Sequence, residues 1–125
     1  MAKPKSFEVS VPDPTLMKVE TAADTMERGW LYYSHKNFDL AIDDFKHILT
    51  TDSDNVDALY GLGLTQKAAG TLPQALVTFE QVLKLVPNIS DRQKKSILMR
   101  LVKGHINQMR TGDWNLEKEV WNYVG

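Results

Sequence analysis

Two stretches of this chain repeat one another at a fixed distance. Ala41-x3-Phe45 and Ala75-x3-Phe79 stand 34 residues apart, and so do Gly29 and Gly63 in the segments that precede them. A period of this length describes one supersecondary unit that cannot bury its apolar face alone, so its copies must stack. Small alanines and glycines let helices approach closely, and each phenylalanine fills the space between them. The repeat therefore limits the chain to a row of paired helices.

Breakers and capping residues divide the row. Pro4 and Pro12 enclose Phe7, Val9 and Val11, which alternate with polar neighbours and predict an extended segment over 1–13. Asp13-Pro14 reads as an N-cap followed by proline at the first helical position, opening a helix that runs to about His35. A second helix, with Phe38, Ala41, Ile42, Phe45, Ile48 and Leu49 inward, follows Asn37 and ends before Asp52-Ser53-Asp54-Asn55. The third runs from about Val56 to Ala69 and is closed by Gly70. The fourth runs from Leu72 to Val86 and is stopped by Pro87.

Beyond Pro87 the period slips. Ser90 and Gln93 are spaced as a capping box, and Ile97, Leu98, Leu101, Val102, Ile106 and Met109 carry a helix to about Arg110. The turn at Gly112-Asp113-Trp114 matches the one at Lys36-Asn37-Phe38 but lies 76 residues later, where two periods give 68. Eight extra residues lengthen this helix by about two turns. Leu116, Val120, Trp121 and Val124 form a last stripe, predicted to be a closing helix, with Trp121 standing where the earlier units have phenylalanine.

The period and its fixed residues resemble the tetratricopeptide repeat. Leu59-x2-Leu62-Gly63, Ala75-x3-Phe79 and Pro87 fit that family closely, although Gln66 stands where an aromatic is usual. The first unit keeps Gly29, Tyr32, Ala41 and Phe45 but has Thr25, Arg28 and Ser53 in place of larger apolar residues and proline. The resemblance implies an all-α fold of antiparallel helix–turn–helix repeats stacked as a short right-handed α-solenoid. The helical domain is expected over 14–125, with repeats at about 22–55 and 56–89 and a degenerate third at 90–125.

Composition narrows the chemistry. With no cysteine, disulfides, thiolate metal sites and cysteine nucleophiles are excluded. No run of about 18 apolar residues is present to span a membrane. The start, Met1-Ala2-Lys3-Pro4-Lys5, has no apolar signal core, and a cytoplasmic protein is expected. Gly61-Leu62-Gly63 lacks the third glycine and preceding strand of a dinucleotide fingerprint, and Asp52-x-Asp54-x-x-Asp57 lacks the glycine and glutamate of a calcium loop. His35, His47 and His105 fall on different helices without metal-ligand spacing, and Ser34-His35 has no third group to make a nucleophile. No catalytic residue, cofactor or metal is expected. The net charge of −1 hides acids concentrated from Glu8 to Asp57 and bases from Arg92 to Arg110. Without a repeated aromatic and basic pattern, nucleic acid is not the expected ligand.

In the family, the first helix of each unit lines a concave groove. The resemblance thus assigns Met26, Trp30 and Tyr33, then Tyr60, Leu64 and Lys67, then Val102, Lys103, Ile106 and Met109 to a partner-binding groove. Aromatic and methionine side chains suit recognition through contact area and adaptable shape, whereas Trp30 and Tyr60 could equally pack against neighbouring helices. Met26, Trp30 and Gly61 stand where carboxylate-clamp members place lysines and asparagines, so an apolar peptide or helix fits better than an acidic C-terminus. The expected function is an adaptor, scaffold or assembly chaperone that binds another protein. Self-assembly into homo-oligomers through the acid–base asymmetry is a second reading, and a regulatory domain of a larger enzyme system a third.

Overall fold

The computed structural model describes residues 13–112, and the regular structure among them is helical. It contains α1 (Ala22–Ser34), α2 (Phe38–Thr51), α3 (Val56–Ala68), α4 (Leu72–Leu85) and α5 (Arg92–Thr111), with short 3-10 turns at Pro14–Leu16 and Val86–Asn88. The expected extended segment around Phe7 and the closing helix around Trp121 lie outside the described residues. Each α-helix packs on the next, and α1 also touches α3. Sequence order therefore becomes spatial order, with α1, α3 and α5 on one side and α2 and α4 on the other. This is a short stack of helical repeats.

Two boundaries differ from the sequence expectation for local reasons. Asp13 does cap Pro14, accepting from the Thr15 amide at 3.0 Å, but the result is a single 3-10 turn rather than a long helix. The helix proper starts at Ala22, where Thr21 and Asp24 form a reciprocal capping box with bonds of 3.1 Å each way. At the start of α5 the capping residue is Asp91, whose carboxylate accepts from the Gln93 and Lys94 amides, rather than Ser90. One oxygen, Oδ1, accepts both amides, at 3.0 and 3.1 Å. Gly70 and Gly112 end α3 and α5 in the left-handed conformation, at φ 87° and 76°.

The repeated residues form the interior. Ala41, Phe45, Ala75 and Phe79 have no exposed surface. Phe45 is gripped between units: a Cβ on Gly29 would lie 3.1 Å from its ring, and one on Gly61 2.6 Å. Phe79 lies against Gly63, where a Cβ would come within 2.7 Å. Ring and glycine are thus complementary shapes, and the backbones of α2 and α3 approach as closely as the ring allows.

The two units deviate from the family pattern in compensating pairs. Arg28 of α1 donates to both carboxylate oxygens of Asp44 of α2, at 2.9 and 2.7 Å, and its guanidinium lies over the Tyr32 ring. One period later Thr78 stands in the place of Asp44, and its buried hydroxyl donates to the Gln66 side-chain oxygen at 2.6 Å. Arg28 and Gln66 each have their partner on the other helix of the same unit, whereas the Thr25 hydroxyl donates to the Thr21 carbonyl at the start of its own helix. Both pairs satisfy groups that burial would otherwise leave unbonded.

Candidate protein-binding face

Met26, Trp30 and Tyr33 recur along α1, and Tyr60, Leu64 and Lys67 along α3, at helical spacing. All six are half-buried. Met26, Trp30 and Tyr33 lean on the cluster of Tyr32, Ala41, Phe45 and Leu62, while Tyr60 and Leu64 lean on the larger cluster around Phe79. Trp30 meets Phe45 edge-on at 5.1 Å and Tyr33 at 5.8 Å, and Tyr33 tilts against Phe38 at 6.1 Å. Such edge contacts fix each ring by one side. Core packing and an available surface are therefore not alternatives for Trp30 and Tyr60, because each side chain supplies both.

On α5 the geometry selects other residues. Val102 has no exposed surface and Ile106 is 6% exposed; both belong to the core with Phe79 and Val82. Met109 is half-buried against the same core, and Lys103 is half-buried. The side of α5 that meets α3 is marked by Lys94, which pairs with Asp57 at 3.2 Å, and by His105 and Gln108, which contact Lys67. The side that meets α4 is marked by Arg110, paired with Glu80 at 3.2 Å. At about 100° per residue, Ile97 and Leu101 fall on the α3 side with Lys94 and Gln108, whereas Val102 and Ile106 turn into the core.

Val102 and Ile106 leave the expected face because that side of α5 packs on the core around Phe79 and Val82. The N-caps Asn55 and Asp91 of α3 and α5 stand 36 residues apart and the C-caps Ala69 and Gly112 stand 43 apart, so no part of α5 keeps the 34-residue register.

A polar junction joins α3 to the second half of α5. Lys67 Nζ lies 2.9 Å from His105 Nδ1 and also donates to Gln108 Oε1. An ammonium can only donate, so Nδ1 is the acceptor and the imidazole proton sits on Nε2, 3.3 Å from Tyr60 Oη. The imidazole stacks on Phe79, with centroids 5.1 Å apart and planes 2° from parallel. Burial, then the adjacent Lys67 charge, push the His105 pKa down to about 4. Burial also lowers that of Lys67 and raises that of Tyr60. The junction thus favours a neutral His105 beside a cationic Lys67.

Among the described residues there is no group of three or more histidine, aspartate and glutamate side chains placed to hold a metal ion. No described helix is long and apolar enough to cross a membrane. The arrangement is that of a helical-repeat domain with a mixed aromatic and aliphatic face along one row of helices. The family model described as tetratricopeptide repeat matches residues 57–88, which are α3, α4 and the turn at Pro87. The chain therefore carries a tetratricopeptide repeat, a unit that is generally non-catalytic and serves protein interaction. No curated protein and no solved structure matches the chain.

Proposed function

We propose that the protein is an adaptor, scaffold or assembly chaperone that binds an apolar peptide or helix along the row of α1, α3 and α5. One observation carries this reading. Met26, Trp30, Tyr33, Tyr60 and Leu64 are held by the core on one side yet keep part of their surface in solvent. Preorganised aromatic anchors of this kind commonly dominate interface energies because little side-chain freedom is lost on binding. Lys67, at the edge of the same face, supplies charge that steers acidic flanks of a partner. Val102, Ile106 and Met109 are left to the core, and Lys103 turns to the side of α5 that carries Arg110.

An affinity capture from the source cell, comparing wild type with Trp30→Ala, tests the reading. Trp30→Ala should lose the captured partner, and in a titration with that partner it should cost at least about 2 kcal/mol. Its circular dichroism and urea midpoint must be followed in parallel, because Trp30 also touches Phe45. Undiminished capture by a folded Trp30→Ala protein would remove this face as the binding surface.

A further inference from the structure

The helices α1, α3 and α5 are each followed by a residue in the left-handed conformation: Lys36 at φ 64°, Gly70 at φ 87° and Gly112 at φ 76°. Nine residues after Lys36 and Gly70 come Phe45 and Phe79, the rings that close over Gly29 and Gly63. Nine residues after Gly112 comes Trp121, outside the described residues. The matching glycine is Gly104, which stands 41 residues after Gly63. The excess over one period is seven residues, about two helical turns, so Gly104 presents the same side of its helix as Gly63 does.

Burial along α5 points to a cover on that side. At about 100° per residue, Gly104 and Asn107 lie about 160° and about 140° around the helix from Val102, which faces the core. On this far side Gln93, Ser96 and Arg100 are exposed, whereas Gly104 is buried and Asn107 exposes 7% of its surface. The cover therefore lies over the second half of α5 and not over the first. Tyr32 and Gln66 follow Gly29 and Gly63 by three residues, as Asn107 follows Gly104, and both are covered by the second helix of their own unit: Tyr32 clusters with Ala41 and Phe45, and Gln66 accepts from Thr78. The same register aligns Leu101, His105 and Gln108 with Tyr60, Leu64 and Lys67, and the contacts of His105 with Tyr60 and of Gln108 with Lys67 agree with it.

We propose that residues 113–125 dock on this side of α5 as the second helix of a third unit, with the Trp121 indole over Gly104 and beside Asn107. The length fits, because thirteen residues of helix span about 20 Å and Gly104 lies about 12 Å back along α5 from Gly112. The charge fits as well. The segment brings Asp113, Glu117 and Glu119, against the single cation Lys118, to a helix that carries six cations and no acid. Glu117 stands five residues after the turn, in the place of Ala41 and Ala75. It holds the two helices further apart than an alanine does, and an indole spans the wider gap where a phenyl ring suffices in the first two units.

Nuclear Overhauser spectra of the full-length protein test the contact. Cross-peaks from the Trp121 indole to the α-protons of Gly104 should appear, and none should arise between differently labelled chains mixed in one sample. Trp121→Ala should shift the amide signals of Gly104 and Asn107 while leaving those of Gly63 and Gln66 in place. Gly104→Ala should lower the Tm although alanine favours a helix, because the added methyl meets the indole, and the loss should shrink in a Trp121→Ala background. Absence of the indole cross-peaks in the wild-type protein would overturn the docking however the variants fold, and so would unshifted Gly104 and Asn107 signals in Trp121→Ala. Cross-peaks found only between chains would give this side of α5 to a second copy. Cross-peaks to Gly104 from Phe7, Val9 or Val11 would give it to the N-terminal residues. Either of these last results also overturns the proposal.

Discussion

Replacing Gly61 by alanine sets helix propensity against packing, and the structure predicts that packing wins. Alanine in a helix interior is favoured over glycine by about 1 kcal/mol, so without tertiary contacts the substitution stabilises. Here the new methyl would lie 2.6 Å from Cε1 and Cζ of Phe45 and 3.0 Å from Cδ1. Carbon atoms normally meet at about 3.5–4.0 Å, so ring or helix must give way by about 1 Å. The ring has no exposed surface, and on its other side it meets Gly29, where a Cβ would stand at 3.1 Å. It has nowhere to retreat without parting α1 from α2 or α2 from α3. Overpacking of this kind costs about 1–3 kcal/mol, and the short contact places it in the upper part of that range. After the propensity gain, a net loss of about 1–2 kcal/mol remains, equivalent to a fall in Tm of about 4–8 °C per kcal/mol. Urea unfolding followed by helical ellipticity measures it. Gly29→Ala, with a looser fit against the same ring, should lose less. In a Phe45→Leu background the Gly61→Ala penalty should shrink or reverse, as contacting sites couple. A Gly61→Ala protein more stable than wild type by about 1 kcal/mol, with an unchanged denaturant slope, would refute the ring-and-glycine account.

Three further outcomes follow from the same contacts. Phe79→Ala, at a site with no exposure, should lose about 3–5 kcal/mol of unfolding free energy in urea; a loss below about 1 kcal/mol would contradict its core position. Asp44→Ala should cost about 2 kcal/mol, because it removes both charged hydrogen bonds and leaves the half-buried Arg28 guanidinium without its carboxylate; equal stability of Asp44→Ala and wild type would show that the pair adds nothing. For His105, the unfolded chain takes up a proton near the ordinary value of 6.5 and the folded chain only at about 4. Its contribution is therefore complete above about pH 6.5 and is lost as the pH falls from there towards about 4. His105→Phe, which keeps the stack on Phe79, should flatten the stability curve in that window, and an unchanged acid slope in the variant would show that His105 is not its source.

The sequence by itself determined the helices, their pairing and their order. Local rules suffice for these: apolar spacing near 3.6 residues makes helices, Gly70 and Pro87 end them, and the 34-residue return of alanine, phenylalanine and glycine requires each pair to pack like the last. The resemblance to the repeat family, rather than spacing alone, is what assigned Met26, Trp30 and Tyr33 and, 34 residues on, Tyr60, Leu64 and Lys67 to one row. Only the tertiary structure decided what long-range contact controls. On α5 the apolar residues cover so much of the circumference that periodicity alone allows several buried faces, and α3 and α4 select Val102 and Ile106 for the core while leaving Ile97 beside solvent. Arg28 and Gln66 look like departures from the repeat until Asp44 and Thr78 are brought against them from the neighbouring helix. Gly61 looks like a helix breaker until the Phe45 ring occupies the volume of its missing side chain. Spacing along one helix records the rotation of its own side chains. The partner that meets each face belongs to another segment and is fixed only when the helices dock.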